Sequence, residues 1–138
     1  MEDFLLVVCN WGPLCKSLGL CFQYIHENFT NAPSNDLSPV TLDMLVHLMC
    51  AQARECLFEK AELGVAAAAD CSSPEVVEEC LSVGQEASHV SDVYGKVHAI
   101  MADEGQEDYV PFSWVALAQV KKEHYRYKTL LLQNPLEI

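Results

Sequence analysis

Apolar residues recur along this chain at three- and four-residue steps in several separate stretches, the spacing of helix faces rather than of strands. The sharpest stretch is 36–60, D-L-S-P-V-T-L-D-M-L-V-H-L-M-C-A-Q-A-R-E-C-L-F-E-K. Ser38 reads as an N-cap and Pro39 as the first helical residue, where a missing N–H costs nothing. Leu37, just before the cap, can fold back on Leu42 as a hydrophobic staple. One row then holds Leu42, Leu45, Met49, Ala53 and Cys56, and a second holds Val46, Cys50, Ala53 and Leu57. A helix apolar on more than one side expects neighbours on two sides, the habit of stacked helical scaffolds and large bundles.

The same reading sets the other elements. Residues 1–13 read as an irregular lead-in, and a first helix covers about 14–29. Its apolar face holds Leu18, Cys21, Phe22, Ile25 and Phe29, and Gly19 weakens its first half. Turn formers fill 31–35. The second helix spans 39 to about 63, with Gly64 as the stop, and 65–72 reads as a loop. Ser73-Pro74 repeats the cap-then-proline start. From there Val76, Cys80, Val83, Ala87, Val90, Tyr94, Val97 and Met101 keep a helical stripe that resembles a hairpin seam with the second helix. An acidic turn follows at 103–108. Ser113 reads as the cap of the last helix, with Phe112 stapled to Leu117, and Trp114, Leu117, Ala118, Lys121 and Tyr125 fall on one side. Leu130, Leu131 and Leu132 read as packed opportunistically or exposed, and Pro135 ends any helix. No period-two strand signal occurs, so the expected fold class is all-α, built from antiparallel helical hairpins.

The segment 51–60, A-Q-A-R-E-C-L-F-E-K, is similar to the A-Q-A-Q-E-C-x-F-E-K signature of Bro-one domain proteins, and specifically of the rhophilins. The resemblance extends back through F-Q-Y-I-H-E-N-F-T-N-A-P-S at 22–34. It resumes in Q-E-A-S-H-V-S-D-V-Y-G-K-V-H-A-I-M-A at 85–102 and in Y-V-P-F-S-W-V-A-L-A-Q-V-K-K-E-H-Y at 109–125. It implies a partial Bro-one domain over about 21–125, with helical-repeat-like packing, between a divergent lead-in at 1–20 and a divergent tail at 126–138. A Bro-one domain is larger, so the resemblance implies an internal part of one, as a truncated or alternatively spliced product. The rhophilin segments that bind Rho GTPase and C-terminal peptides, a helical hairpin and a PDZ domain, have no counterpart in these residues.

What the resemblance implies for function is a non-catalytic protein-interaction scaffold in Rho GTPase-linked signalling, with protein partners and only indirect contact with membranes. One alternative is a fragment without independent binding. Another is an endosomal adaptor of the Alix type, which takes an amphipathic helix of an ESCRT-III subunit in a groove. Matching on Gln85-Glu86-Ala87 places a groove leucine of that group at Val83, and the candidate partner-binding row is Val76, Cys80, Val83 and Ala87. Glu79 is acidic where a second groove position is apolar, a departure that weighs against ESCRT-III binding. Packing against the second helix is the plainer reading of the same row and carries more weight.

Composition narrows the field further. A net charge of −12 on 138 residues argues against nucleic acid, which needs clustered Lys and Arg. The balance is uneven: residues 1–110 carry 4 basic and 18 acidic side chains, and 111–138 carry 4 basic and 2 acidic. The basic run 121–128, K-K-E-H-Y-R-Y-K, reads as a solvated last helix. Seven cysteines, an odd number without paired spacings, fit reduced thiols and a cytoplasmic setting. The apolar run 4–9 is too short to span a bilayer.

His47, Cys50 and Cys56 lie on one helix, and His47 with Cys50, three residues apart, could share a metal; without paired ligands such as C-x-x-C they read as core, and no cofactor is expected. Cys71 sits near a helix start but has no histidine close in sequence to act as base. His89, His98 and His124 show no metalloprotease spacing. Glu55, Glu59 and Glu62 read as a solvated acidic edge, and an enzyme is not expected.

Overall fold

The computed structural model of the chain describes residues 2–29, 38–67, 73–103 and 110–134, with side chains from Gly12 onward. Among these residues are four α-helices: α1 (Glu2–Asn28), α2 (Pro39–Ala66), α3 (Pro74–Met101) and α4 (Phe112–Gln133). No strand occurs among the described residues. Direction alternates along the chain. Gly12 of α1 lies against Cys56 and Gly19 against Met49, so α1 and α2 are antiparallel. Ser91 of α3 bonds the Lys122 carbonyl at 2.9 Å, while Gly84 meets Leu132, so α3 and α4 are antiparallel as well. Lys121 pairs with Glu55 and Lys128 with Glu62, which sets α4 parallel to α2. α2 thus has α1 on one side and the α3–α4 pair on the other.

Local signals placed two helix starts. The Ser38 hydroxyl accepts from the Thr41 N–H at 3.2 Å, and the Ser73 hydroxyl accepts from the Val76 N–H at 3.3 Å. Each Ser stands before a proline at the first helical position, as the sequence pattern requires. Leu37, the 31–35 linker, most of the 65–72 loop including Cys71, and positions 104–108 of the acidic turn lie outside the described residues.

Three boundaries differ from expectation, each for a physical reason. α1 begins at Glu2 and carries Pro13 inside it. The helix continues because Gly12 sits 3.4 Å from the Cys56 Cβ, measured from where its own Cβ would be, so the Gly-Pro step belongs to a packed seam and not to a turn. α2 passes through Gly64 to Ala66, and no glycine among the described residues has positive φ. A helical glycine costs about 1 kcal/mol relative to alanine; Val65, packed against the core, offsets it. α4 starts at Phe112 after Pro111, with no side-chain cap. Phe112 is 84 % exposed and staples nothing.

The core lies between α2, α3 and α4. α3 contributes Val83, Ala87, Val90, Tyr94, Val97 and Met101, six of the eight residues of its expected stripe. α4 contributes Ala118 and Tyr125. On α2 Leu42 of the first expected row is buried, but the other buried residues, Met44, Ala51, Glu55 and Phe58, belong to neither expected row. Met49, Ala53 and Cys56 face α1 instead, and Cys50 and Leu57 are exposed. Periodicity shows that a helix has apolar faces; which face meets the larger partner depends on contacts remote in sequence.

A carboxylate-tethered cleft between the outer helices

α1 and α4 flank α2 without closing over it, and an open cleft of about 520 Å³ remains between them. Its α1 wall is Leu18 and Phe22; its α4 wall is Trp114 and Leu117. Leu45, Leu48, Met49 and Gln52 of α2 form the floor. Trp114 is 45 % exposed and Leu117 56 %. Large apolar side chains this accessible, gathered along one concavity, mark a surface suited to an apolar ligand face.

Glu55 stands at the edge of that floor, only 9 % exposed. Its Oε2 accepts from the Tyr94 hydroxyl at 2.5 Å. Its Oε1 accepts from the Tyr125 hydroxyl at 2.8 Å and from the Lys121 ammonium. A buried carboxylate is tolerated only when paired and hydrogen-bonded, and this one has three donors from two other helices. Burial, and then the Glu55 hydrogen bond and charge, push the Tyr94 hydroxyl far above its ordinary 10.0. Burial and then the Glu55 charge do the same to Tyr125. Both phenols therefore remain protonated donors. Phe58 meets the Tyr125 ring edge-on at 5.3 Å, and Tyr94 stacks on Tyr125 at 6.3 Å.

Chemically the cluster is a fastener. Each carboxylate oxygen is already engaged, the ammonium has its counter-ion, and the phenols hold their protons. It fixes α3 and α4 against α2 and so sets the position of the α4 wall of the cleft. Neighbouring Glu59 is pushed up, first by burial and then by the Glu55 charge, with Lys121 opposing. Lys128 reaches Glu62 at 2.5 Å. Of the three glutamates read as a solvated edge, Glu55 and Glu62 are thus paired with lysines of α4, and Glu55 is buried.

The sequence-derived row on α3 lies elsewhere. Val83 and Ala87 are core residues, and Val76 and Cys80 are half-buried nearer the start of α3. Val83 and Glu79 border a shallow hollow of about 230 Å³ with Ala61, Gly64 and Val65; none of the four lines the α1–α4 cleft. His47 bonds its own turn, the Asp43 carbonyl, at 2.8 Å, and no cluster of three potential metal ligands forms among the described residues. No described helix is long and apolar enough to cross a membrane.

Antiparallel neighbours along the chain, packed around a shared core and leaving an open apolar cleft, define an all-α domain of the stacked-hairpin kind. The chain belongs to the BRO1-like domain family, whose model matches residues 14–133. It is 43 % identical over 104 residues to mouse (Mus musculus) rhophilin-1, covering 75 % of this chain and 15 % of the relative. It is 39 % identical over 106 residues to human (Homo sapiens) rhophilin-2, covering 75 % and 14 %, and 40 % identical over 124 residues to bovine (Bos taurus) rhophilin-2, covering 83 % and 17 %. The chain therefore spans about 15 % of the length of these relatives. No solved structure matches it significantly.

Proposed function

We propose that the chain is a non-catalytic protein-interaction module of Rho-linked signalling, acting in the cytoplasm, and that its α1–α4 cleft receives the apolar face of an amphipathic helix. The rhophilin relationship supports the signalling context. The observation that carries the docking site is the cleft itself, with Trp114 and Leu117 exposed along one wall. A helix-in-groove mode reads apolar anchors at i, i+3 or i+4, and i+7. The Glu55 cluster holds the α4 wall in place before a ligand arrives, which lowers the ordering cost of binding.

The test is a displayed library of helical peptides selected on the full chain, with Leu117→Asp as counter-selection. Enriched sequences should share the i, i+3/i+4, i+7 apolar pattern and lose at least about tenfold in affinity, about 1.4 kcal/mol, on Leu117→Asp. Peptides that bind the variant equally well would move the site off the cleft. A second reading places docking on the α3 row, and the hollow beside Val83 and Glu79 favours it. Loss of the same peptides on Val83→Asp, with helicity retained and Leu117→Asp silent, would select that reading. A broad, non-cooperative melt with no enriched peptide would favour a segment without binding of its own.

A further inference from the structure

Of the chain's 8 lysines and arginines, four are in ion pairs among the described residues: Arg54 with Glu86, Lys121 with Glu55, Arg126 with Glu123 and Lys128 with Glu62. Lys16 and Lys60 are in none among the described residues, although the chain carries 20 acidic residues. No acidic residue stands three or four positions away from either lysine along its helix. Both border one hollow of about 420 Å³ behind the α1–α2 seam. Its walls are otherwise apolar or small: Gly12, Pro13, Ala53, Cys56 and Leu57. It shares no lining residue with the α1–α4 cleft. The convergence follows from helix geometry. Side chains lean toward the N-terminus of their own helix, and α1 and α2 are antiparallel, so Lys16 leans back toward Gly12 and Lys60 toward Cys56, the two residues in contact across the seam. Leu57 beside them is 61 % exposed.

We propose that this hollow is a second binding site, for a partner segment in which a carboxylate side chain adjoins a large apolar one. The two unpaired ammoniums supply the anion contacts, and Leu57 with the Gly12–Cys56 floor takes the apolar group. The site is selective because the surface around it is not basic. A net charge of −12 repels a membrane of anionic lipid and an extended polyanion alike, whereas a single acidic-apolar turn meets only the local pair.

The experiment measures binding of a short peptide of alternating glutamate and leucine to the full chain, by titration calorimetry at low salt. The glutamine-for-glutamate peptide is its control. The glutamate peptide should bind, the glutamine peptide should not, and Lys16→Glu with Lys60→Glu should weaken binding by about tenfold or more. Lys16→Arg with Lys60→Arg should retain it, and circular dichroism should show unchanged helicity in all variants. Equal binding of the two peptides, or equal binding to the double charge reversal, overturns the site. Loss on Lys122→Glu, an unpaired lysine of α4, with Lys16 and Lys60 intact, assigns the binding to the basic run of α4 and overturns it as well. Binding to anionic phosphatidylserine vesicles in place of the peptide has the same effect.

Discussion

α2 is held on its two sides by different physics. Toward α1 the seam is one of shape: Gly12, Cys15 and Gly19 let the backbones close, and the cross-contact is a weak thiol bond from Cys15 to the Gln52 amide oxygen at 3.7 Å. No ion pair crosses it among the described residues. Toward α4 the seam is one of named partners, Lys121 with Glu55 and, seven residues on in both helices, Lys128 with Glu62. A shape-held helix can shift with small losses at each contact, because dispersion is spread over many atoms. A helix held through a buried carboxylate cannot shift without orphaning a charge. The cleft thus has one fixed wall and one adjustable wall.

The comparison is broken most severely at Glu55. Glu55→Ala leaves two phenols and an ammonium without their acceptor, and should cost about 4 kcal/mol in a urea melt; a loss near that of a surface site would mean the cluster is not what fixes α4. On the other seam, Gly19→Leu forces a large side chain against Met49, whose Cβ lies 3.4 Å from the glycine's would-be Cβ. About 2 kcal/mol is expected from overpacking, with faster amide exchange confined to α1. Equal loosening of α3 would show the two seams to be coupled. Gly19→Ala should instead be neutral or stabilising, since that distance is ordinary contact and helix propensity improves by up to about 1 kcal/mol.

Tyr94→Phe removes one donor from the carboxylate and should cost about 2 kcal/mol. It also carries a pH signature. The folded chain keeps both phenols protonated above their ordinary 10.0, whereas the unfolded chain releases those protons from about pH 10 upward. Stability is therefore complete below pH 10 and falls as pH rises, by up to about 1.4 kcal/mol per unit for each phenol. Tyr94→Phe should flatten that alkaline decline; an unchanged slope would sever the phenol from the effect. Smallest is Lys128→Ala, whose pair with Glu62 is about one-third exposed on both sides. About 0.5 kcal/mol is expected, lessened by salt.

Much of the fold was legible because its signals are local. Ser38 and Ser73 cap within four residues, and the α3 stripe repeats its own period from Val83 to Met101. The resemblance at 51–60 placed the family. Glu55 was not legible as a core residue, because its donors stand 39 to 70 positions away, and neighbouring Glu59 and Glu62 disguised it as a solvated edge. A signal was present: Met44, Ala51 and Phe58 stand at seven-residue intervals, and Glu55 lies on the same face. A carboxylate inside an apolar heptad row, in a chain with tyrosines at two core positions, points to a buried network. The lead-in read over 1–13, which ends on a Gly12-Pro13 step, misled for the converse reason. Its local preference is a turn, and the tertiary seam prevailed over that preference.

The exposed side chains on the outside of α4, Val120, Tyr127 and Leu130, give the molecule a colloidal personality. At neutral pH mutual repulsion among acidic chains keeps these oily patches apart in solution. Near the isoelectric point of about 4.6 that barrier vanishes while the patches remain, so solutions should cloud there and clear again on either side. Acid thus acts on this chain as a flocculant, through the charge that separates its molecules.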